Sequence, residues 1–215
     1  MVHVTYYMDV LSSWCFIAED AVDAVRREFG DKLRLDWRIA QLNDGGPIDA
    51  TVEKQFWWYR RTNHVTGTQL NAAWREGLND STFEPNLVAE AARTLGIVDD
   101  SVRRALSNAG LREGRHVQHR YISVQIASQV TGIPVERFGT AIGDYKTLER
   151  LMESTIAFRA LPVEMVPTFV ISNDVGDRAV LSGLYGVEAL AGVIREMEHA
   201  SARYEEFMAK EPEPA

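Results

Sequence analysis

The sequence predicts an α/β protein whose sheet is interrupted by a large all-helical insertion. Three observations carry this: a strand–helix–strand pattern within residues 2–39, sustained helical periodicity over 51–160, and a return to strand, turn, strand and helix before the end. The chain has 215 residues, of which 46% are hydrophobic, and its five tryptophans need an interior to pack into. That is enough for one domain carrying a sizeable insertion and burying a substantial core.

The elements follow in order. Residues 2–8, "VHVTYYM", are β-branched and aromatic and alternate in character, which predicts a strand. In "FIAEDAVDAVRREFG", Ile17, Ala21, Val25 and Phe29 recur every four residues and Gly30 supplies a stop, which predicts an amphipathic helix. In "LRLDWRIAQL", Leu33, Leu35, Trp37 and Ile39 alternate with Arg34, Asp36 and Arg38, the period of a half-buried strand. Strand, helix and strand make a βαβ unit, expected with parallel strands and a right-handed crossover. From 51 to 160, segments such as "PNLVAEAARTLGI", "DSVRRALSNAG", "VQHRYISVQIASQVTGI" and "YKTLERLMESTIAFRAL" carry apolar residues at three- and four-residue steps. "TGIPVERF" reads as a helix break and restart, with Pro134 suited to a first helical turn. "PTFVISND", a turn around Gly176, "RAVLSG" and a helix near 186–208 complete the sheet. The expected organisation is a sheet domain of 1–50 and 161–208, an inserted helical subdomain of 51–160, and a flexible tail of 209–215.

A formal charge of −8 argues against a broad nucleic-acid surface, because phosphate binding is driven by clustered Lys and Arg. The start, "MVHVTYYMDV", lacks the basic, apolar and small-residue regions of a secretory signal, and no stretch reaches the ~18–20 apolar residues of a membrane span. The one cysteine cannot form an internal disulfide. The cytoplasm, where thiols stay reduced, is the expected compartment, and a small molecule the expected partner, with neither nucleic acid nor membrane.

A βαβ half, a helical insertion and a ββα half together make a thioredoxin fold with its central helices enlarged. "YYMDVLSSWCFI" resembles the first strand and active-site turn of DsbA-like thioredoxin-domain proteins, "VPTFVI" resembles their cis-proline segment, and "LSGLYGVEAL" their last strand and helix start. The resemblance covers nearly the whole chain. It implies that the first helix begins at the motif, where unpaired N–H groups carry about half a positive charge. Such sites lower a cysteine pKa from about 8.5 to as little as about 3.5. Here the nucleophile's position holds Ser12, and the second cysteine position holds Cys15, expected on the first helical turn and shielded by Trp14. Dithiol chemistry within one subunit is excluded. Ser12 has two readings: an N-cap satisfying an orphan N–H, or a hydroxyl donating to a thiolate bound at the helix N-terminus.

"DVLSSWC" is also similar to the active-site turn of kappa-class glutathione transferases and 2-hydroxychromene-2-carboxylate isomerases, in which a serine faces the glutathione sulfur. This resemblance implies a glutathione-dependent isomerase or transferase. Two positions depart from it. Ser13 and Trp14 replace a Pro followed by Tyr or Phe, and Leu184 and Tyr185 replace a Ser–Asp pair that holds the γ-glutamyl end. The family pattern further implies a cis Val166–Pro167 bond, with the Val166 backbone pairing an extended thiol ligand. "FWWYRR", Phe56 to Arg61, concentrates aromatics beside two cations. It either stacks an aromatic substrate, with Arg60 or Arg61 pairing a carboxylate, or anchors the insertion. Candidate catalytic residues are Ser12 and Cys15; candidate binding residues are Ser13, Trp14, Val166, Pro167, Trp57 and Arg60. His116 and His119 lie three apart on an expected helix but lack a third ligand, so no metal is expected, and His64 is read as an exposed loop residue. Relatives of this design are often homodimers, which is the expected assembly. Two alternatives stay open: a monothiol oxidoreductase using Cys15, and a thioredoxin-fold binding module without turnover.

Overall fold

The computed structural model describes residues 1–76 and 81–211. It contains four strands, β1 (Val2–Met8), β2 (Leu33–Ile39), β3 (Thr168–Asn173) and β4 (Arg178–Ser182), and eight α-helices among the described residues. The helices are α1 (Ser13–Phe29), α2 (Val52–Thr66), α3 (Phe83–Thr94), α4 (Ser101–Leu111), α5 (Arg120–Thr131), α6 (Val135–Gly143), α7 (Tyr145–Arg159) and α8 (Val187–Lys210). The chain divides into two compact units. One comprises Met1–Tyr7, Ala18–Arg38 and the chain from Met165 onward; the other comprises Met8–Ile17 and Ile39–Glu164. The active-site turn and the segment before α2 thus belong with the helical unit, whereas element order alone placed them with the sheet.

In the sheet unit the strand order is β2-β1-β3-β4. β1 and β3 pair antiparallel, with Val2 opposite Asn173 and Tyr7 opposite Thr168; β3 and β4 pair antiparallel, with Thr168 opposite Ser182. Tyr6 and Phe169 are direct cross-strand partners, and their rings stack at 4.9 Å. The predicted alternation in β2 holds: Trp37 and Ile39 are buried while Arg34, Asp36 and Arg38 are exposed. The apolar stripes of α1 (Ala18, Val22, Val25, Phe29) and α8 (Leu190, Ala191, Ile194, Met197) complete this core. Asn173 builds the β3–β4 turn. Its side-chain oxygen accepts from the Asp177 N–H at 2.9 Å and its amide donates to the Met197 carbonyl at 3.1 Å, tying the turn to α8. The Val166–Pro167 bond is cis, and the Pro167 carbonyl accepts from the Gly183 N–H at 2.8 Å.

In the helical unit α3 is the central helix. Every residue from Pro85 to Ala92 is buried, and α3 packs against α4, α5, α6 and α7. Two local expectations are corrected. His64 lies on α2, because the helix continues to Thr66 and ends only where Gly67, at φ 74°, takes the left-handed conformation. Pro134 is the N-cap of α6, one residue before the first helical position, with its ψ of 146° in the extended region. At the other end of the chain α8 continues to Lys210, so residues 209 and 210 of the expected tail are helical. The remaining tail residues 212–215 lie outside the described residues.

Candidate active site

The turn between β1 and α1 is built around Asp9, which has no exposed surface. Its Oδ1 accepts from the Leu11 N–H at 2.8 Å. Its Oδ2 accepts from the Leu42 N–H at 2.9 Å and from the Thr82 hydroxyl and the Asn86 amide at 2.7 Å each. An ionised carboxylate offers about four acceptor sites, and four donors meet them. Burial pushes the Asp9 carboxyl up from its ordinary value; the bonds from Leu42, Thr82, Leu11 and Asn86 oppose that rise. The backbone around Asp9 is held as firmly. Asn86 Oδ1 accepts from the Val10 N–H at 3.0 Å, the Ser107 hydroxyl donates to the Val10 carbonyl, and the Ser12 N–H closes the turn on the Asp9 carbonyl at 3.1 Å. Leu11 fills the space left by Gly110 on α4, where an added Cβ would come within 2.5 Å of its Cδ2.

This frame delivers Ser12 to the start of α1. Its hydroxyl accepts from the Cys15 N–H at 3.3 Å, satisfying one orphan donor of the helix, and its carbonyl accepts from the Phe16 N–H at 3.0 Å. Ser12 is 7% exposed. Its hydroxyl proton has no acceptor among the described residues, so the group that caps the helix still holds a donor for something else. Ser13 opens the helix half-buried beside Ser12. Cys15, on the same first turn, is 0% exposed.

Trp14 meets α2. The Arg61 guanidinium lies 5.5 Å from the centre of the Trp14 ring and 5.4 Å from that of Trp57. The cation beside the indoles is therefore Arg61, one of the two arginines, Arg60 and Arg61, that the sequence pattern offered. Arg60 is exposed, and Trp57 is 52% exposed. Behind them the Tyr59 hydroxyl accepts from Trp74 Nε1 at 3.0 Å, and burial drives its pKa above the ordinary tyrosine range, which keeps it neutral. Val166, half-buried, and Pro167, buried, belong to the sheet unit; Leu184 is half-buried and Tyr185 exposed in the segment between β4 and α8. His116 Nδ1 lies 3.2 Å from the Trp74 carbonyl and its ring is 6.0 Å from that of His119. No cluster of three or more His, Cys, Asp or Glu suited to a metal occurs among the described residues.

Sequence reasoning missed Asp9 as an organiser, together with Thr82, Asn86 and Ser107. A signal existed in α3: Asn86 and Glu90 are polar residues, one turn apart, set within the apolar run "PNLVAEAA", and a polar residue on a buried face needs a partner.

A four-stranded sheet with an inserted helical unit, and a serine-capped turn at the start of the first helix, define a thioredoxin-fold protein that lacks the cysteine pair. The chain belongs to the DSBA-like thioredoxin domain family, whose pattern matches residues 3–195. Among solved structures it is similar to a putative protein disulfide isomerase from Nitrosomonas europaea, at 19% identity over 94% of this chain and 98% of that one, with a TM-score of 0.76. A probable DsbA oxidoreductase from Streptomyces coelicolor matches at 16% identity over 93% and 91%, TM-score 0.73. The cytosolic disulfide reductase DsbM from Pseudomonas aeruginosa, in a structure described as with GSH, matches at 19% identity over 84% and 89%, TM-score 0.65. No curated protein sequence matches the chain.

Proposed function

We propose that this protein is a thiol-dependent isomerase or transferase acting on a small, aromatic electrophile, with Ser12 stabilising the thiolate of a bound thiol. The observation that carries the reading is the uncommitted proton of the Ser12 hydroxyl at the N-terminus of a 17-residue helix. A thiolate placed there receives a charge-assisted hydrogen bond and the favourable end of the helix dipole. Serine has no accessible anion near neutral pH, so the reacting sulfur comes from the ligand.

Glutathione is the thiol proposed, supported by the "DVLSSWC" resemblance and by the glutathione-containing structure of the Pseudomonas relative. Ser13 and Trp14 flank the sulfur position. Val166 is proposed to act through its backbone alone, so Val166→Ala should leave thiol binding unchanged. The lone buried thiol suits the cytoplasm, and no helix among the described residues is long and apolar enough to cross a membrane. The assembly proposed is a homodimer, to be checked by sedimentation velocity.

Calorimetric titration with reduced glutathione tests the reading. Ser12→Ala should weaken binding about fivefold or more, the scale of one hydrogen bond of ~1 kcal/mol. Equal affinities in the two proteins would overturn it. Loss of a disulfide-exchange activity in Cys15→Ser, with Ser12→Ala unaffected, would instead establish a monothiol oxidoreductase. No thiol binding and no exchange would leave a binding module.

A further inference from the structure

We propose that α8 carries a self-complementary docking face on which two copies of this chain pair antiparallel, Phe207 of each seated in a hollow over Gly192 of the other. The inference rests on the homodimer proposed above, whose face it names, and not on the thiol chemistry.

α8 runs for 24 residues, about 36 Å, and its two ends differ. Its first half is anchored through the buried Leu190, Ala191, Ile194 and Met197, and the last buried position is Ser201. Every residue from Ala202 to Phe207 is exposed, and Tyr204 and Phe207 present 49% and 51% of their surface to water. Two aromatic rings three residues apart on a helix are neighbours, and covering them from water is favourable.

The first half of the helix holds the matching feature. A hollow of about 570 Å³ opens along α8 over Ala189, Gly192, Val193 and Ala200. Glycine inside a helix is destabilising relative to alanine. A Cβ added to Gly192 would meet nothing within 4 Å, so packing within the chain does not require the glycine. What its bare backbone provides is room for a bulky side chain arriving from outside.

Position on the helix decides which side chain that is. Ala189, Val193, Glu196, Ala200, Arg203 and Phe207 follow one another at alternating steps of four and three, so they share one face. That alternation is the seven-residue repeat along which two helices pack in a seam. Charge then sets the direction. The hollow is rimmed by Glu188 and Glu196 of α8 and by Asp177 of the β3–β4 turn. Arg203 and Lys210 instead flank Phe207 at four and three residues, on its own side of the helix, whereas Glu205 and Glu206, two residues and one residue away, do not face it. Parallel pairing would set like charges side by side; antiparallel pairing sets acid against base. Glu196 and Arg203 lie equally far from a midpoint between His199 and Ala200, and so do Gly192 and Phe207. The register that seats Phe207 over Gly192 therefore also brings Glu196 opposite Arg203 of the second copy. It sets Lys210 opposite Ala189, beside Glu188, and the small Ala200 next to the axis, where the helices cross closest. Two-fold symmetry makes every one of these contacts twice.

Sedimentation velocity of the full chain, over a dilution series in the micromolar range, tests the assignment. Wild type should sediment as a dimer that dissociates on dilution. Phe207→Ala removes the knob and Gly192→Leu fills the hollow; each should raise the dissociation constant about tenfold or more while the far-ultraviolet circular dichroism stays that of the folded chain. Glu196→Arg and Arg203→Glu should each weaken the dimer, and the double variant Glu196→Arg/Arg203→Glu should regain it, an outcome that a merely misfolded variant cannot give. Ser12→Ala should leave the dimer unchanged. A monomeric wild type would overturn this inference together with the homodimer reading. A dimer indifferent to Phe207→Ala and Gly192→Leu, or one dissociated instead by Leu148→Asp on the exposed face of α7, would overturn the α8 face and leave the homodimer standing. Failure of the double variant to recover would overturn the antiparallel register.

Discussion

Asp9 sits out of water with all its acceptor capacity filled by a hydroxyl, an amide and two backbone N–H groups. Replacing it by Asn keeps the shape and removes the charge, yet turns an NH2 toward groups that can only donate: either the Leu11 N–H, or the Leu42 N–H and the Asn86 amide. Leaving buried donors facing a donor costs about 1–3 kcal/mol each. Asp9→Asn should therefore lower the unfolding free energy by about 2–4 kcal/mol in urea titration, more than its loss of a buried charge returns. Ser12 and Cys15 were legible in the sequence because their neighbours in the chain define the motif. Asp9's role was not, since Thr82 and Asn86 reach it across 73 and 77 residues. The Arg60 and Arg61 pair shows a second limit: a run of aromatics and cations announces a helix, but which of the two cations lies over Trp14 depends on the approach of another element.

At the scale of elements, α3 and α7 are joined by an ion pair in which the Glu90 side chain is 2% exposed and Arg150 is 41% exposed. Arg150 also donates to the Thr94 hydroxyl at 2.6 Å. Removing Arg150 takes a cationic partner from a buried carboxylate and a donor from Thr94, so Arg150→Ala should cost about 1–3 kcal/mol, the figure reduced because the arginine itself is solvated. A urea titration of Arg150→Ala checks this, and a variant as stable as wild type would refute the explanation. The helices themselves were legible from three- and four-residue periodicity, and β2 from alternation. Their ends were less so: the apolar pattern continues or stops independently of the caps, as Gly67 and Pro134 show at α2 and α6.

For the molecule as a whole, the βαβ and ββα halves and the inserted helices were readable in order because each element announces its own period. Assignment of the site turn to the helical unit was not readable, because it depends on the long-range bonds of Val10 to α3 and α4. The location of Cys15 allows a global measurement. A thiol with no exposed surface reacts with an aromatic disulfide reagent only when the protein opens, so labelling of native protein should be slow and should accelerate with urea. Stoichiometric labelling at once under native conditions would place the thiol at the surface.

The same buried sulfur has a practical side. With its only thiol sealed from solvent, the protein has nothing at its surface with which to cross-link to another copy, and storage in air without reductant should leave it unbridged on a non-reducing gel. Mild peroxide meets instead the thioethers of the exposed Met1, Met152 and Met165, whose sulfoxides are enzymatically reversible. Whatever oxidation does to the proposed reaction would then fall on a diffusible thiol that is replaced from solution, and fresh thiol rather than new protein would restore the rate.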